Sequence, residues 1–227
     1  MLRNQDWKHI WTEAQNCLSG EFMKELAAAR SRVTSRSAMG LMDAAILYAL
    51  VKFQRSPTII EVGSGFGMST AVLRKAQMDT PLLNAKVVTI AKHPVSVTGC
   101  LIPEDLRSGV VQVFGDIRQL VADPIVPMQC ELYLHDSTHT WSHQSWEYRT
   151  FWDRLKPGGM LISHDIKASA AFPDFVSRLC VHGENGLAAR HNCQYDDWGC
   201  MNNIGFIVKA GVLTPNLRNL KEEANRL

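Results

Sequence analysis

The sequence of 227 residues lacks the features of several specialised protein classes. Its most apolar stretch, residues 37–51, is shorter than the roughly 20 residues of a membrane helix, and it contains Asp43. The N-terminus has no apolar core of a secretion signal. Lys and Arg number 24 against 22 Asp and Glu, and they form no basic run. Neither a membrane nor a nucleic acid is therefore an expected partner.

Cysteine pairs are also missing, because the six cysteines are scattered without a CxxC motif. This scatter argues against a zinc site or a disulfide framework and predicts reduced thiols in a cytoplasmic protein. The remaining composition, 46% hydrophobic and 20% charged, is that of a globular protein. We expect a single domain over 1–227, with N-terminal helices over 1–56, a core over 57–210 and a charged tail over 211–227.

Apolar runs alternate with helical segments from residue 57 onward. Five runs predict strands, over residues 58–62, 86–90, 110–114, 131–134 and 160–163. Two further runs, 188–195 and 203–208, predict an antiparallel pair joined around residues 196–199. The pattern predicts an α/β fold, Rossmann-like, with a mostly parallel seven-stranded sheet and helices on both faces. Ligands of such sheets bind beyond the carboxyl ends of the strands.

A glycine-rich loop follows the first predicted strand in the segment EVGSGFGMST. Gly63, Gly65 and Gly67 form a GxGxG pattern, in which glycine permits positive φ and close approach of a ligand. A dinucleotide loop would require glycine in place of Met68, and a phosphate-binding Walker loop would require a following Lys. Glu61, an acid at the end of a buried strand, needs a partner or a ligand. The alternative interpretation is a glycine-rich turn without a ligand.

The strand, the acid and the GxGxG loop together resemble the first motif of class I S-adenosylmethionine-dependent methyltransferases. The resemblance covers roughly residues 36–210. It continues at Gly115-Asp116, at Asp136 and at the LKPGG segment of residues 155–159.

The resemblance implies S-adenosylmethionine as the cofactor, a sulfonium cation without a phosphate. The glycine loop would meet its amino-acid end, Glu61 would offset its positive charge, and Asp116 would bind the adenine amino group. Asp116 could instead cap the following helix. The residues implied to contact the cofactor are Glu61, Gly63, Ser64, Gly65, Phe66, Gly67, Ser69, Asp116 and Asp136.

The end of the second predicted strand departs from the family pattern. Most members carry there an acid that accepts hydrogen bonds from the ribose hydroxyls, whereas this sequence has Ala91, which cannot accept one. Lys92 or His93 could contact the ribose instead. Ala91 puts the affinity for the cofactor in question.

Acids and histidines follow the fourth and fifth predicted strands. Asp136 and Asp165 would converge at the carboxyl edge of the sheet, and two close carboxylates favour a hard cation such as magnesium. The pattern resembles a branch of small-molecule and sugar O-methyltransferases and the cephalosporin hydroxylase group. That resemblance implies a divalent metal held by Asp136, His164 and Asp165, with His139 as general base and Asp136 beside it. Capping of the next helix is the structural alternative.

We therefore expect methyl transfer from S-adenosylmethionine to a small-molecule acceptor, at a hydroxyl oxygen and with metal assistance. Two other interpretations stay open: a binding protein that keeps the fold without catalysis, and an NAD-dependent oxidoreductase, which Met68 disfavours. Trp146 could reach the substrate or a partner subunit, so a homo-oligomer is an open prediction. His143, His182 and His191 lack matching partners and are interpreted as surface residues.

Overall fold

Three helices precede an alternation of strands and helices. The computed structural model describes residues 4–33, 39–179 and 195–210, and no helix within them has the length and apolar character needed to cross a bilayer. The helices are α1 (Asn4–Ser19), α2 (Glu21–Arg30), α3 (Leu41–Gln54), α4 (Met68–Met78), α5 (Ile117–Leu120), α6 (Trp141–Arg154) and α7 (Ala171–Leu179), with a 3₁₀ helix at Glu104–Leu106. The strands are β1 (Thr58–Val62), β2 (Lys86–Ala91), β3 (Val110–Phe114), β4 (Cys130–His135), β5 (Leu155–Ser163), β6 (Tyr195–Met201) and β7 (Ile204–Lys209).

The seven strands form one sheet in the order β3-β2-β1-β4-β5-β7-β6. The first five strands pair in parallel, and β7 lies antiparallel between β5 and β6. The strand order reverses beside β1, whose neighbours are β2 on one side and β4 on the other. Such a switch point opens a crevice at the carboxyl ends of the strands, where ligands of α/β sheets bind. The predicted mostly parallel α/β fold with an antiparallel C-terminal pair is confirmed.

Alternation along the strands divides the core into two layers. Ile59 packs with the helices α1 to α4, whereas the next residue, Ile60, packs with α6 and α7 on the opposite face. Successive side chains of a strand point to opposite faces, and helices cover both, so both sets are apolar. This two-sided burial explains why the parallel strands read as continuous apolar runs.

The C-terminal hairpin corrects one prediction. Residues 196–199, predicted as the turn, lie within β6, and the reversal occurs at Asn202 and Asn203 between β6 and β7. Asn202 has φ 54°, a left-handed conformation that asparagine tolerates well and that tight hairpins require. Residues 188–194 of the predicted strand lie outside the described residues, as does the tail predicted over 211–227.

The LKPGG segment is also arranged differently from the prediction. Leu155 pairs with Cys130 and Met160 pairs with Leu132, so residues 156–159 bulge out of the β4–β5 ladder instead of preceding the strand. Gly158 has φ 79°, which fits this irregular backbone. The segment therefore lies at the amino end of β5, away from the carboxyl edge where the site is expected.

Candidate active site

The glycine loop connects β1 to α4 at the switch point of the sheet. A Cβ on Gly63 would lie 1.9 Å from the backbone oxygen of Asp136, so Gly63 lets the chain after β4 pass close by. A Cβ on Gly67 would lie 2.8 Å from the Cα of Gly99. Gly65 differs, because its φ is 45° and its missing side chain leaves open space. Two glycines of the motif thus serve packing, and the third leaves room beside the loop.

Glu61 is buried completely behind this loop. One carboxylate oxygen accepts a hydrogen bond from the hydroxyl of Thr70 at 2.5 Å, and the other has no partner among the described residues. Burial raises the pKa of Glu61, although the nearby hydroxyls of Ser69, Thr70 and Thr89 oppose the rise. An unpaired oxygen in a buried acid is costly, so a hydrogen-bond donor or a positive charge bound near this oxygen would be stabilised.

A cavity of about 580 Å³ lies on one side of the loop, beyond the ends of β2 and β3, and we call it the first cavity. Gly65 and Phe66 form one wall, and Ala91 and Asp116 lie at the strand ends. Asp116 accepts a hydrogen bond from the backbone N of Arg118 at 2.9 Å, so it caps α5 as the alternative interpretation predicted, while it also lines the cavity. The volume is within the range of small-molecule sites.

The far end of the first cavity is basic. Lys92, His93 and Arg118 line it, and the Arg118 guanidinium lies 4.7 Å from the ring centre of Trp146. Ala91 ends β2 opposite Phe114 of β3 and brings no acceptor to this region. The departure from the family pattern therefore persists in the three-dimensional site.

A second cavity, also about 580 Å³, lies on the other side of the same loop. It shares Gly63, Ser64, Gly65, Phe66 and Ser137 with the first cavity. Its remaining wall carries the predicted acids and histidines from the ends of β4 and β5. These residues are Asp136, His139, His164 and Asp165, joined by Asp43, Ser69 and Asn203.

Asp136, His139 and Asp165 lie closest together in the second cavity. One ligand atom from each of the three lies within 4.8 Å of the others, an arrangement that could hold a metal ion. Asp165 has φ 53°, an uncommon backbone conformation that brings its side chain into this group. The predicted convergence of the two acids at the carboxyl edge is thus present.

His139 fits the role of a base or of a neutral ligand. Its Nε2 lies 3.3 Å from Asp165 Oδ2, and its Nδ1 has no partner among the described residues. Burial lowers the pKa of His139, although Asp165 and Asp136 pull in the other direction. An imidazole that is neutral near pH 7 can accept a proton or bind a metal.

His164, for which the resemblance implied a metal role, lies between two acids. Its Nδ1 lies 3.0 Å from Asp136 Oδ1, and its Nε2 lies 3.3 Å from Asp43 Oδ2. Burial lowers the pKa of His164, but the hydrogen bonds to Asp136 and Asp43 outweigh it and raise the pKa to about 10. The three residues that lie close enough to share an ion include His139. The geometry therefore adds His139 to the candidate ligand set, in which His164 stays a prediction.

Two site residues were missed in the sequence. The signal for Asp43 is its position as a charged residue within an apolar helix, since an unpaired buried acid would be costly. His143, interpreted as a surface residue, lines the first cavity and lies 2.5 Å from Glu147. His182 and His191 lie outside the described residues.

A glycine loop therefore lies at the switch point of this sheet, between two cavities. Residues 60–166, from within β1 to just beyond β5, match the family model described as a methyltransferase domain. The predicted resemblance and the predicted class of enzyme, a methyltransferase, are confirmed by this match. No curated protein matches the sequence significantly.

Solved methyltransferase structures share this fold. The Bacillus cereus O-methyltransferase in complex with SAH has a TM-score of 0.61 at 12% identity, covering 89% of this chain and 99% of its own. The O-methyltransferase TomG of Streptomyces achromogenes in complex with SAM has a TM-score of 0.61 at 14% identity, covering 93% of this chain and 100% of its own. The SAH-bound methyltransferase PaMTH1 of Podospora anserina has a TM-score of 0.61 at 12% identity, covering 92% of this chain and 97% of its own. At these identities the likeness shows a common fold.

Proposed function

We propose that the protein transfers a methyl group from S-adenosylmethionine to a hydroxyl oxygen of a small molecule. The observation that carries this proposal is the glycine loop between two cavities, one fit for a nucleoside and the other lined by acids and a histidine. The three structural neighbours above contain SAM or SAH, which supports the choice of cofactor. A small-molecule acceptor agrees with the absence of a basic run in the sequence.

The residues present fit S-adenosylmethionine. The space beside Gly65 and the size of the first cavity accommodate a nucleoside, and no phosphate-binding lysine is needed at the loop. The unpaired oxygen of Glu61 belongs to an acid that is adjacent to Ser69, which lines the second cavity, and a bound cation would favour the charged form of this acid. The cofactor, when bound, supplies an electrophilic methyl group, and the loop would hold it between the two cavities for in-line attack.

The acids of the second cavity fit a divalent cation. Asp136 and Asp165 offer oxygen ligands and His139 offers a nitrogen, a set suited to magnesium or manganese. A cation held there would lower the cost of deprotonating the acceptor hydroxyl. Without a cation, His139 can take the proton itself, with Asp165 stabilising the imidazolium that forms. Both routes use His139 and Asp165.

The second candidate is a methyltransferase-fold protein that binds a ligand without catalysis, because Ala91 removes the ribose acceptor. Calorimetry with S-adenosylmethionine, SAH and NAD separates the possibilities. Binding of the first two alone supports the proposal, and binding of NAD alone would favour an oxidoreductase. Binding of none of the three would contradict the proposed cofactor and favour the non-catalytic candidate.

Restoring the missing acid should strengthen cofactor binding. We expect Ala91→Asp to tighten the dissociation constant for SAH about tenfold, because a charged acceptor contributes 1.5–3 kcal/mol per hydrogen bond. Isothermal titration calorimetry measures the change. Ala91→Leu, which adds similar bulk without an acceptor, serves as the control and should bring no gain. Equal affinities in the aspartate variant and the wild type would contradict this account of the ribose end.

Removing the negative charge behind the loop should have the opposite effect on binding. We expect Glu61→Gln to weaken S-adenosylmethionine binding about tenfold, a loss of about 1.4 kcal/mol, because the amide cannot offset the cofactor's positive charges. Thermal stability of the free protein should not fall, since burial already disfavours the charged carboxylate. Calorimetry and a melting curve measure the two effects. Unchanged affinity would remove Glu61 from the cofactor site.

A further inference from the structure

A ring of polar contacts joins helix α3 to the carboxyl edge of the sheet. Asp43 Oδ2 lies 3.3 Å from His164 Nε2, and His164 Nδ1 lies 3.0 Å from Asp136 Oδ1 and 3.5 Å from Asp165 Oδ2. Asn203 closes the ring: its side-chain amide donates to Asp165 Oδ1, and its backbone N donates to Asp43 Oδ1 at 3.3 Å. The ring therefore connects four segments that are far apart in the sequence.

Asp43 is the unexpected member of this ring. It lies in the first turn of α3 and is 7% exposed, and residues 44–51 that follow it are all buried. Its two oxygens are fully used, because Oδ1 also accepts a hydrogen bond from Asn202 Nδ2 at 2.7 Å. A carboxylate in an apolar helix is tolerated when it is paired and hydrogen bonded. Its contacts, rather than packing, explain why an acid stands at this position.

We infer that Asp43 is a positioning residue of the acceptor site: it fixes the His164 ring, and that ring holds the Asp136 carboxylate at the second cavity. This inference rests on the function proposed above. Asp43, Asn202 and Asn203 all lie outside residues 60–166, the segment that matches the methyltransferase domain. The N-terminal helix and the C-terminal hairpin thus complete a site whose chemical groups come from the central segment.

The conservative variant Asp43→Asn isolates this role. Its side-chain oxygen could still accept from Asn202 and Asn203, but an amide nitrogen would replace the oxygen that faces His164 Nε2. A doubly protonated ring would lose its acceptor at position 43, so its hold on Asp136 would weaken. Partners that orient the ligands of a metal or of a reacting group typically change affinity or activity by 10–100-fold when they are replaced.

The test uses Mn²⁺ as the probe of the acidic edge. Calorimetry should show that Asp43→Asn binds Mn²⁺ about 10–100-fold more weakly than the wild type, with the SAH dissociation constant changed less than about twofold. Asp79→Asn is the matched control, since Asp79 is hydrogen bonded to Tyr48 and lines a different cavity. A crystal structure of Asp43→Asn should show the His164 ring turned away from Asp136.

Two further outcomes keep the inference separate from the proposed function. If the wild type binds SAH without Mn²⁺, the metal part of that function fails, and the crystal structure of the variant decides the positioning role. Equal Mn²⁺ affinities, or unchanged contacts of His164 and Asp136 in the variant, overturn the inference. If Asp43→Asn does not fold, Asn202→Gly is the variant to use, because glycine keeps the left-handed turn and removes one hydrogen-bond donor to Asp43. Asn202→Gly should weaken Mn²⁺ binding to a smaller degree, or its crystal structure should show Asp43 displaced from His164.

Discussion

Replacing Asp136 or Asp165 by asparagine is expected to lower the rate of methyl transfer at least about a hundredfold, while the affinity for SAH changes less than about twofold. Asparagine preserves the volume of each side chain, and its oxygen can still accept a hydrogen bond. The lost property is the negative charge at the edge of the second cavity. That charge either binds a cation or stabilises a protonated His139, so both routes to the deprotonated acceptor need it.

The cofactor should be bound as before, because its proposed contacts lie elsewhere. The first cavity and the glycine loop carry the adenosine and the amino-acid end, and neither Asp136 nor Asp165 lines the first cavity. The resemblance also implied a contact between Asp136 and the cofactor. A fall in SAH affinity limited to the Asp136 variant would support that contact and would place Asp136 in the cofactor site as well as at the acceptor edge.

The measurement is formation of SAH from S-adenosylmethionine with a panel of small hydroxyl compounds, with and without a metal chelator. Asp153→Asn, an exposed acid on α6, is the matched control and should keep the wild-type rate. Unchanged turnover in the chelator would exclude a metal and leave His139 as the base. Wild-type rates in both the Asp136 and Asp165 variants would contradict the assignment of this edge as the acceptor site.

The strands of the parallel sheet were predictable because burial on both faces leaves a continuous apolar run. The bounds predicted for β1 and β3 agree with the structure at both ends. The hairpin was misplaced because Asp196, Asp197 and Gly199 are turn-forming residue types, although they belong to β6. The actual turn at Asn202 depends on a left-handed asparagine, which is a weaker signal in a sequence.

The part of the candidate site that was predictable is the part formed by residues directly after the parallel strands. Asp136 and Asp165 had to meet, because the parallel strands β4 and β5 are neighbours and both end at the same edge. The contacts of His164 could not be predicted. One partner, Asp43, precedes His164 by 121 positions and reaches it only through the packing of α3. Contacts of this kind are set by tertiary structure, whereas motif spacing reports only local geometry.

Glu147 is expected to be the residue whose loss destabilises the fold most among the polar groups around the site. It is completely buried on α6, and its carboxylate has four partners. Oε2 accepts from Tyr133 and lies 2.6 Å from His135 Nδ1, while Oε1 accepts from Ser137 and lies 2.5 Å from His143 Nε2. Through these contacts one carboxylate links β4, the loop after β4 and the start of α6.

The pH dependence of this contribution follows from the pKa of Glu147. Burial raises it, but hydrogen bonds from His135 and His143 outweigh burial and lower it from 4.5 to about 2. The unfolded chain therefore takes up the proton at a higher pH than the folded protein does. The stabilisation is fully present above about pH 4.5 and is lost as the pH falls toward about 2.

We expect Glu147→Gln to lower the free energy of unfolding by about 3 kcal/mol at pH 7, because the amide nitrogen would face donors that lose their acceptor. Urea denaturation followed by circular dichroism measures the loss, and Glu104→Gln, at an exposed acid, should change stability by less than about 0.5 kcal/mol. Below pH 4.5 the difference between the wild type and Glu147→Gln should shrink, since protonation removes the same charge. A difference that stays constant from pH 7 to pH 3 would show that the carboxylate charge does not hold this cluster together.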